Sequence, residues 1–221
     1  MCGRIIRTSP RATIEEAFNA TADPAIDFRP RYNLCPSQPL IAVVADDGAR
    51  RLRAFRWGLV PHFAQPDARA PKPINARAET VATKPLFRDA FRHRRCLVVV
   101  DGFYEWKAEP TGKVPHVIRL RTRTPFAIAG LWESPPSDAP PRSPTALVLT
   151  CAPNALVATI HNRMPVLFNA DAAVRWLDPS TEGGELQTLL APYPAEEMEA
   201  YPVSRLVNNP SVDIAECVAA L

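Results

Sequence analysis

Apolar positions along the chain gather in short dense runs and not in long helical stripes. The runs Leu40–Ala45, Arg53–Trp57, Leu97–Val100, His116–Leu120, Phe126–Leu131 and Leu147–Cys151 have strand length and are rich in β-branched residues. Helical signals are fewer. Thr13-Ile14-Glu15-Glu16 has the spacing of a capping box and predicts a short helix through Ala20. Leu86–His93, Asp171–Leu177 and Glu185–Leu190 predict further helices, the second capped by Asn169. The segment Ser134–Pro144 is too rich in proline to pair as a strand. Strand-like runs flank it on both sides, so it predicts an exposed loop and not a domain boundary. The interleaving predicts one α+β domain over residues 2–221, with a curved, mostly antiparallel, barrel-like sheet and short flanking helices. A content of 25 Pro against 8 Gly agrees with many irregular turns.

Composition narrows the class. Apolar residues make up 47% of 221, enough for a sizeable core. No apolar run approaches the roughly 18 residues of a membrane span, and the first residues lack a secretory pattern. We expect a cytoplasmic protein without a membrane partner. The net charge of +3 neither demands nor excludes nucleic acid. Of 26 basic residues only Lys72, Lys84, Lys107 and Lys113 are lysine. Arginine forks match phosphate oxygens, although a GC-rich coding sequence gives the same bias. The five cysteines, at 2, 35, 96, 151 and 217, are odd in number and widely spaced, against a disulfide framework or a zinc site. Cys96 and Cys151 lie in apolar runs and read as core residues.

Cys2 differs because of its position. Initiator methionine is removed when the second residue is small, and the mature chain would begin Cys2-Gly3-Arg4. A terminal cysteine carries two nucleophiles on adjacent carbons, an amine of pKa near 8 and a thiol near 8.5, so roughly a tenth of the amine is free at pH 7. Such a 1,2-aminothiol condenses with an aldehyde to an imine, and the thiol then closes a five-membered thiazolidine ring. An internal cysteine cannot do this.

Three segments carry polar groups in apolar surroundings: Pro73–Thr80, Val100–Lys107 and Ile160–Val166. In the second, Glu105 lies between Tyr104 and Trp106 after a predicted buried strand, where an apolar setting raises a carboxyl pKa and suits it to moving protons. In the third, His161 and Arg163 share a face if the segment is extended. Each is unremarkable alone. Together they supply amide, carboxylate, imidazole and guanidinium groups for one site.

The segments Met1-Cys2-Gly3-Arg4, Arg31–Pro36, Arg56–Pro61, Ile74–Thr80, Asp101–Trp106, His161–Val166 and Tyr201–Asn208, in this order, resemble the SRAP family, named for SOS-response-associated peptidases and better described as abasic-site processing proteins. The resemblance implies a curved β-core with a basic channel for single-stranded DNA, and a covalent link between Cys2 and the ring-opened sugar of an abasic site. It implies that Asn75 positions the amine or the sugar, that Glu105 moves protons during ring opening and imine formation, and that His161 acts as acid or base on the sugar. Arg4, Arg77 and Arg163 would clamp the flanking phosphates of a monomer that is at the nucleoid when bound to DNA, and no metal or organic cofactor is needed. In the loop Pro61-His62-Phe63-Ala64, where family members can carry tryptophans, only Phe63 is available to stack on a base. Trp57, Trp106 and Trp132 read instead as core. The same cysteine, amide and imidazole would also serve an N-terminal-nucleophile thiol peptidase, and a non-catalytic single-strand binder is a third reading.

Overall fold

The computed structural model describes residues 2–63, 72–134 and 143–221. Fourteen strands occur among them. In chain order they are β1 (Ile5–Arg7), β2 (Thr21–Ala22), β3 (Arg31–Leu34), β4 (Pro39–Asp46), β5 (Ala49–Trp57), β6 (Asn75–Arg77) and β7 (Arg95–Val100). Then follow β8 (Gly102–Glu109), β9 (Gly112–Leu120), β10 (Phe126–Glu133), β11 (Thr145–Cys151), β12 (Met164–Pro165), β13 (Leu167–Phe168) and β14 (Met198–Pro202). The α-helices are short: α1 (Arg11–Phe18), α2 (Arg88–His93), α3 (Ala155–Ala158), α4 (Ala170–Leu177) and α5 (Gly183–Leu189).

All six predicted strands are present, each two or four residues longer than its apolar run. β7, β10 and β11 are buried nearly throughout and β4 from Leu40 to Val44, and burial on both faces writes a strand as a continuous apolar run. They form the sheet β12-β11-β10-β7-β4-β5-β2, and β11 also pairs in parallel with β5, Thr145 against Arg56 and Ala146 against Trp57. That second pairing closes β5, β4, β7, β10 and β11 into a ring, the barrel-like core the sequence predicts. β13 and β6 attach to β10 and β11. A second sheet, β14-β9-β8-β1-β3, packs its inner face on the main core. Its outer face carries Ile6, Tyr104 and Val117 under the C-terminal residues Val203, Val207 and Cys217. Most pairings are antiparallel, those of β11 with β5 and β6 and of β2 with β5 being parallel. β10 and β11 pair directly across the proline-rich segment, Glu133 against Thr145, so one sheet runs through it. Residues 135–142 of that expected loop lie outside the described residues.

One helix start departs from expectation. α1 opens at Arg11 behind Pro10, whose φ of −62° already suits a helix, and no side chain caps it. Thr13 is therefore inside the helix and no capping box forms. Asn169 does cap α4, its side chain accepting from the Ala172 N–H at 2.9 Å.

Ring closure brings backbones close at Gly130 on β10. A Cβ there would lie 2.8 Å from the Cys96 Sγ and 3.0 Å from both the Leu147 carbonyl and the Val98 Cγ2. Cys96 and Leu147 belong to the strands on either side, so neither can yield without moving its neighbour. Gly130→Ala should destabilise the fold by about 1–3 kcal/mol through overpacking. A shift of the urea midpoint at constant m-value would measure it, and an unchanged midpoint would show that the ring has slack.

Candidate functional site

Two tethers fix the amino end. β1 lies between β3 and β8, with Ile5 opposite Phe103 and the Tyr104 N–H donating to the Arg4 carbonyl at 3.1 Å. Continuing that ladder by one step lays Cys2 and Gly3 alongside Glu105. From the other side the Asn75 amide Nδ2 donates to the Cys2 carbonyl at 2.8 Å. Asn75 is held by β6, which pairs with the fully buried β11. Strand alternation on β8 then sorts the side chains. Phe103 and Glu105 face the main core, whereas Tyr104 and Trp106 face the outer cluster.

His161 enters from the turn after α3. Asn154 caps that helix and the His161 N–H closes onto the Val157 carbonyl at 2.8 Å. Its Nδ1 accepts from the Arg163 N–H at 3.1 Å. Nδ1 also lies 3.3 Å from the Arg163 carbonyl, and Nε2 lies 3.8 Å from the Glu105 Oε2. The four residues expected to carry chemistry, Cys2, Asn75, Glu105 and His161, therefore meet at one place from four separate chain segments.

Burial sets their proton affinities. Glu105 is 2% exposed, and loss of solvation raises its carboxyl to about 7. The Cys2 side chain is 0% exposed. Burial, and next the Glu105 charge, push its thiol well above the ordinary range. Burial also lowers the His161 imidazole, which favours its neutral form. A neutral thiol thus faces a carboxyl that exchanges protons near neutrality, beside an imidazole whose neutral form is favoured.

The expected cations are in different states. Arg77 sits two residues beyond Asn75 on β6 and is exposed. Arg4 donates through Nη1 to the Asn33 Oδ1 at 2.6 Å and also to the Val207 carbonyl, with its guanidinium 6.0 Å from the Trp106 ring. Arg163 forks onto both carboxylate oxygens of Glu79, Nη2 at 2.9 Å from Oε2, and reaches the Thr150 carbonyl at 2.6 Å. Phe63 is 62% exposed and stands edge-on to His62 at 5.4 Å, so this ring lies outside the core. Ala64 of the same expected loop lies outside the described residues. Trp57 is a core residue as read from the sequence, whereas Trp106 and Trp132 are half-buried. The Trp106 Nε1 donates to the Asn208 side chain at 2.7 Å.

Sequence reasoning missed the supports. Asn33 is fully buried and donates to the carbonyls of Val207, Asn209 and Val212, tying the C-terminal segment over Arg4. An amide in a strand with apolar neighbours was the available signal. Among the described residues no group of three or more His, Cys, Asp or Glu side chains could hold a metal ion.

This is a single-domain α+β protein with a cysteine, a carboxylate, an amide and an imidazole gathered at its amino end. The chain belongs to the SRAP family, whose SOS response associated peptidase model matches residues 1–210. It is 41% identical to the abasic site processing protein YoqW of Bacillus subtilis over 99% of each chain. It is 33% identical to the abasic site processing protein HMCES of Xenopus tropicalis over 88% of this chain and 67% of that one. The fold matches a crystal structure of a Bacteroides thetaiotaomicron protein with a TM-score of 0.88 over 100% of both chains, at 24% identity.

Proposed function

We propose that this protein processes abasic sites in single-stranded DNA by forming a covalent thiazolidine through Cys2 once Met1 has been removed. The observation that carries the reading is the convergence of Asn75, Glu105 and His161 on the Cys2 end, each from a different segment. The names of the relatives agree with it.

The chemistry follows from the proton affinities. Removing Met1 turns the Cys2 backbone nitrogen into an amine, which adds to the C1′ aldehyde of the opened sugar to give a carbinolamine. Glu105 in its protonated form delivers a proton to the carbinolamine hydroxyl. Water leaves and an iminium remains. The Glu105 carboxylate then takes the thiol proton, the sulfur adds to the same carbon, and the ring closes. The carboxyl ends as it began, and one water is released. A group with a pKa near 7 holds comparable amounts of both forms at neutral pH, as this exchange requires. The Asn75 amide holds the Cys2 carbonyl so that amine and thiol face the carboxyl. The His161 Nε2 lies beside Glu105, where it can hydrogen-bond a sugar oxygen.

Arg77, exposed beside Asn75, and Arg4 contact the flanking phosphates. Arg163 joins them where a phosphate displaces Glu79. Phe63 stacks on a neighbouring base, and the missing base lowers the cost of bending the strand.

Incubation of the protein with a single-stranded oligonucleotide carrying one abasic site, beside its intact and duplex counterparts, tests the reading on a heated denaturing gel. A one-to-one adduct confined to the abasic single strand is expected, and the intact mass of the protein should lack Met1. Absence of an adduct, together with turnover of a peptide amide, would replace this reading by a thiol peptidase. Equal affinity for intact and abasic strands without an adduct would leave a plain binder.

A further inference from the structure

Arg163 is held from two sides. On the inner side its Nη2 donates to the Thr150 carbonyl at 2.6 Å and lies 3.3 Å from the Thr150 hydroxyl. Thr150 belongs to the fully buried β11, and its carbonyl also accepts from the Ala78 N–H at 2.8 Å. On the outer side Nη1 and Nη2 fork onto the two carboxylate oxygens of Glu79, Nη2 at 2.9 Å from Oε2. The Arg163 side chain is 15% exposed and that of Glu79 51%. The cation is therefore fixed in the wall of the site, and the anion is the exposed partner that can leave.

The backbone presents Glu79 to that place. It follows β6 by two residues, in a turn that the Thr80 N–H closes onto the Arg77 carbonyl at 3.1 Å. Ala78, just before it, is bonded on both sides, its N–H to Thr150 and its carbonyl accepting from the Gln187 side chain of α5 at 2.8 Å. Only the Glu79 side chain is left to turn away. The Arg163 hydrogen bonds hold its carboxyl below the usual range, and the Arg77 charge acts in the same sense. Glu79 is thus an anion beside two of the three arginines assigned to the phosphates.

A carboxylate and a phosphate present a pair of oxygens to a guanidinium in the same way. The Arg163 Nε is buried, so the side-on edge of the fork is closed to solvent and the Nη1–Nη2 edge is the one a strand can reach. That edge takes one anion at a time. We propose that Glu79 is a specificity-determining residue of the DNA site, an internal stand-in for a phosphate that a strand must displace before it engages Arg163. The inference rests on the reading above in assigning Arg163 to a phosphate. A displaced carboxylate remains as a negative charge near the strand and cancels part of what the arginine gains. An intact strand, held by noncovalent contacts alone, bears that cost at every encounter. An abasic strand joined to Cys2 cannot diffuse away, and the high local concentration of its phosphates displaces Glu79 with little loss of occupancy. The pair therefore weakens retention on undamaged single strands more than on the captured lesion.

The test uses the mature full chain and a labelled intact single strand. Glu79→Gln keeps the length of the side chain and removes its charge. Binding should tighten about 3- to 10-fold, and the plot of log affinity against log salt should steepen by about 0.7, the share of one more neutralised phosphate on a single strand. Loss of a negative charge near DNA would tighten binding even without displacement, so the same substitution is made in an Arg163→Gln background. There the gain should fall below about 2-fold, because no guanidinium is left to release. Unchanged or weaker binding by Glu79→Gln would overturn the proposal. So would a gain that persists in full without Arg163, or an Arg163→Gln variant that binds as tightly as the wild type. These measurements need no adduct. A wild type that binds the intact strand but forms no adduct with an abasic one would count against the covalent function alone, and the binding cycle would still decide the case of Glu79.

Discussion

Cys2→Ala should abolish the heat-stable adduct with abasic single strands, a loss of at least about 10³ in yield at fixed time, by removing the ring-closing nucleophile. The variant also separates the two chemical steps. Alanine is small enough for Met1 to be removed, so the mature variant keeps a terminal amine beside Glu105 and Asn75. That amine can still form an imine, which is reversible in water and does not survive heating. Borohydride added during the reaction should therefore trap a protein–DNA product from the variant as from the wild type, although the untreated variant shows none. Binding to intact strands should be unchanged, because Arg4, Arg77 and Arg163, and not the buried Cys2 side chain, are assigned to the phosphates. The same burial makes a loss of about 1 kcal/mol of stability the cost of removing the sulfur, to be checked by thermal melting. A heat-stable adduct at wild-type yield would move the covalent link to another residue and end the assignment. Loss of both the untreated and the borohydride-trapped products would instead mean that the amine is misplaced.

How much of this was legible in the chain depends on the kind of contact. β4, β7, β10 and β11 could be read because burial on both faces leaves an unbroken apolar run. β8 could not, since Gly102–Glu109 mixes a core-facing carboxylate with residues of the outer cluster and has no clean alternation. β6, with three residues, offers no period at all. The ring closure of β5 onto β11 joins Arg56 to Thr145 and is invisible to any local pattern. In the site, the reactivity of Cys2 follows from its position alone, whereas the raised Glu105 carboxyl comes from burial on the core side of β8 and not from Tyr104 and Trp106, which face the outer cluster. Arg163 shows the limit. Its sequence neighbourhood says guanidinium beside imidazole, but the carboxylate that occupies it, Glu79, is 84 residues away. Residue type gave the chemistry available, and only the fold says which groups are already spoken for. The α1 start makes the same point on a local scale. Thr13 and Glu16 have capping-box spacing, yet Pro10, with its fixed φ and missing N–H, starts the helix earlier.

Glu105→Gln should slow adduct formation by a factor on the order of 10², the lower range for loss of a positioned acid–base group. Glutamine keeps the shape and can accept a hydrogen bond, but it neither delivers a proton to the carbinolamine nor takes one from the thiol. The residual rate should lose the part of its pH response that comes from the carboxyl near 7 and keep the rise that follows deprotonation of the Cys2 amine near 8. The stability of the fold should change in the opposite sense. In the unfolded chain the carboxyl ionises near 4.5, whereas burial in the folded chain raises it to about 7. Between those values the folded protein binds a proton that the unfolded chain has released. This contribution to stability is complete below about 4.5 and is lost as pH rises through about 7. At pH 8.5 the wild type therefore carries a buried carboxylate that the variant lacks. The variant should gain roughly 1–3 kcal/mol relative to wild type between pH 5 and pH 8.5, read from urea midpoints at both pH values. A site that trades stability for reactivity behaves in this way, gaining stability and losing rate in one substitution. Equal losses of adduct formation and of intact-strand binding, with no gain in stability at high pH, would make Glu105 a structural residue and leave the proton transfers without a donor.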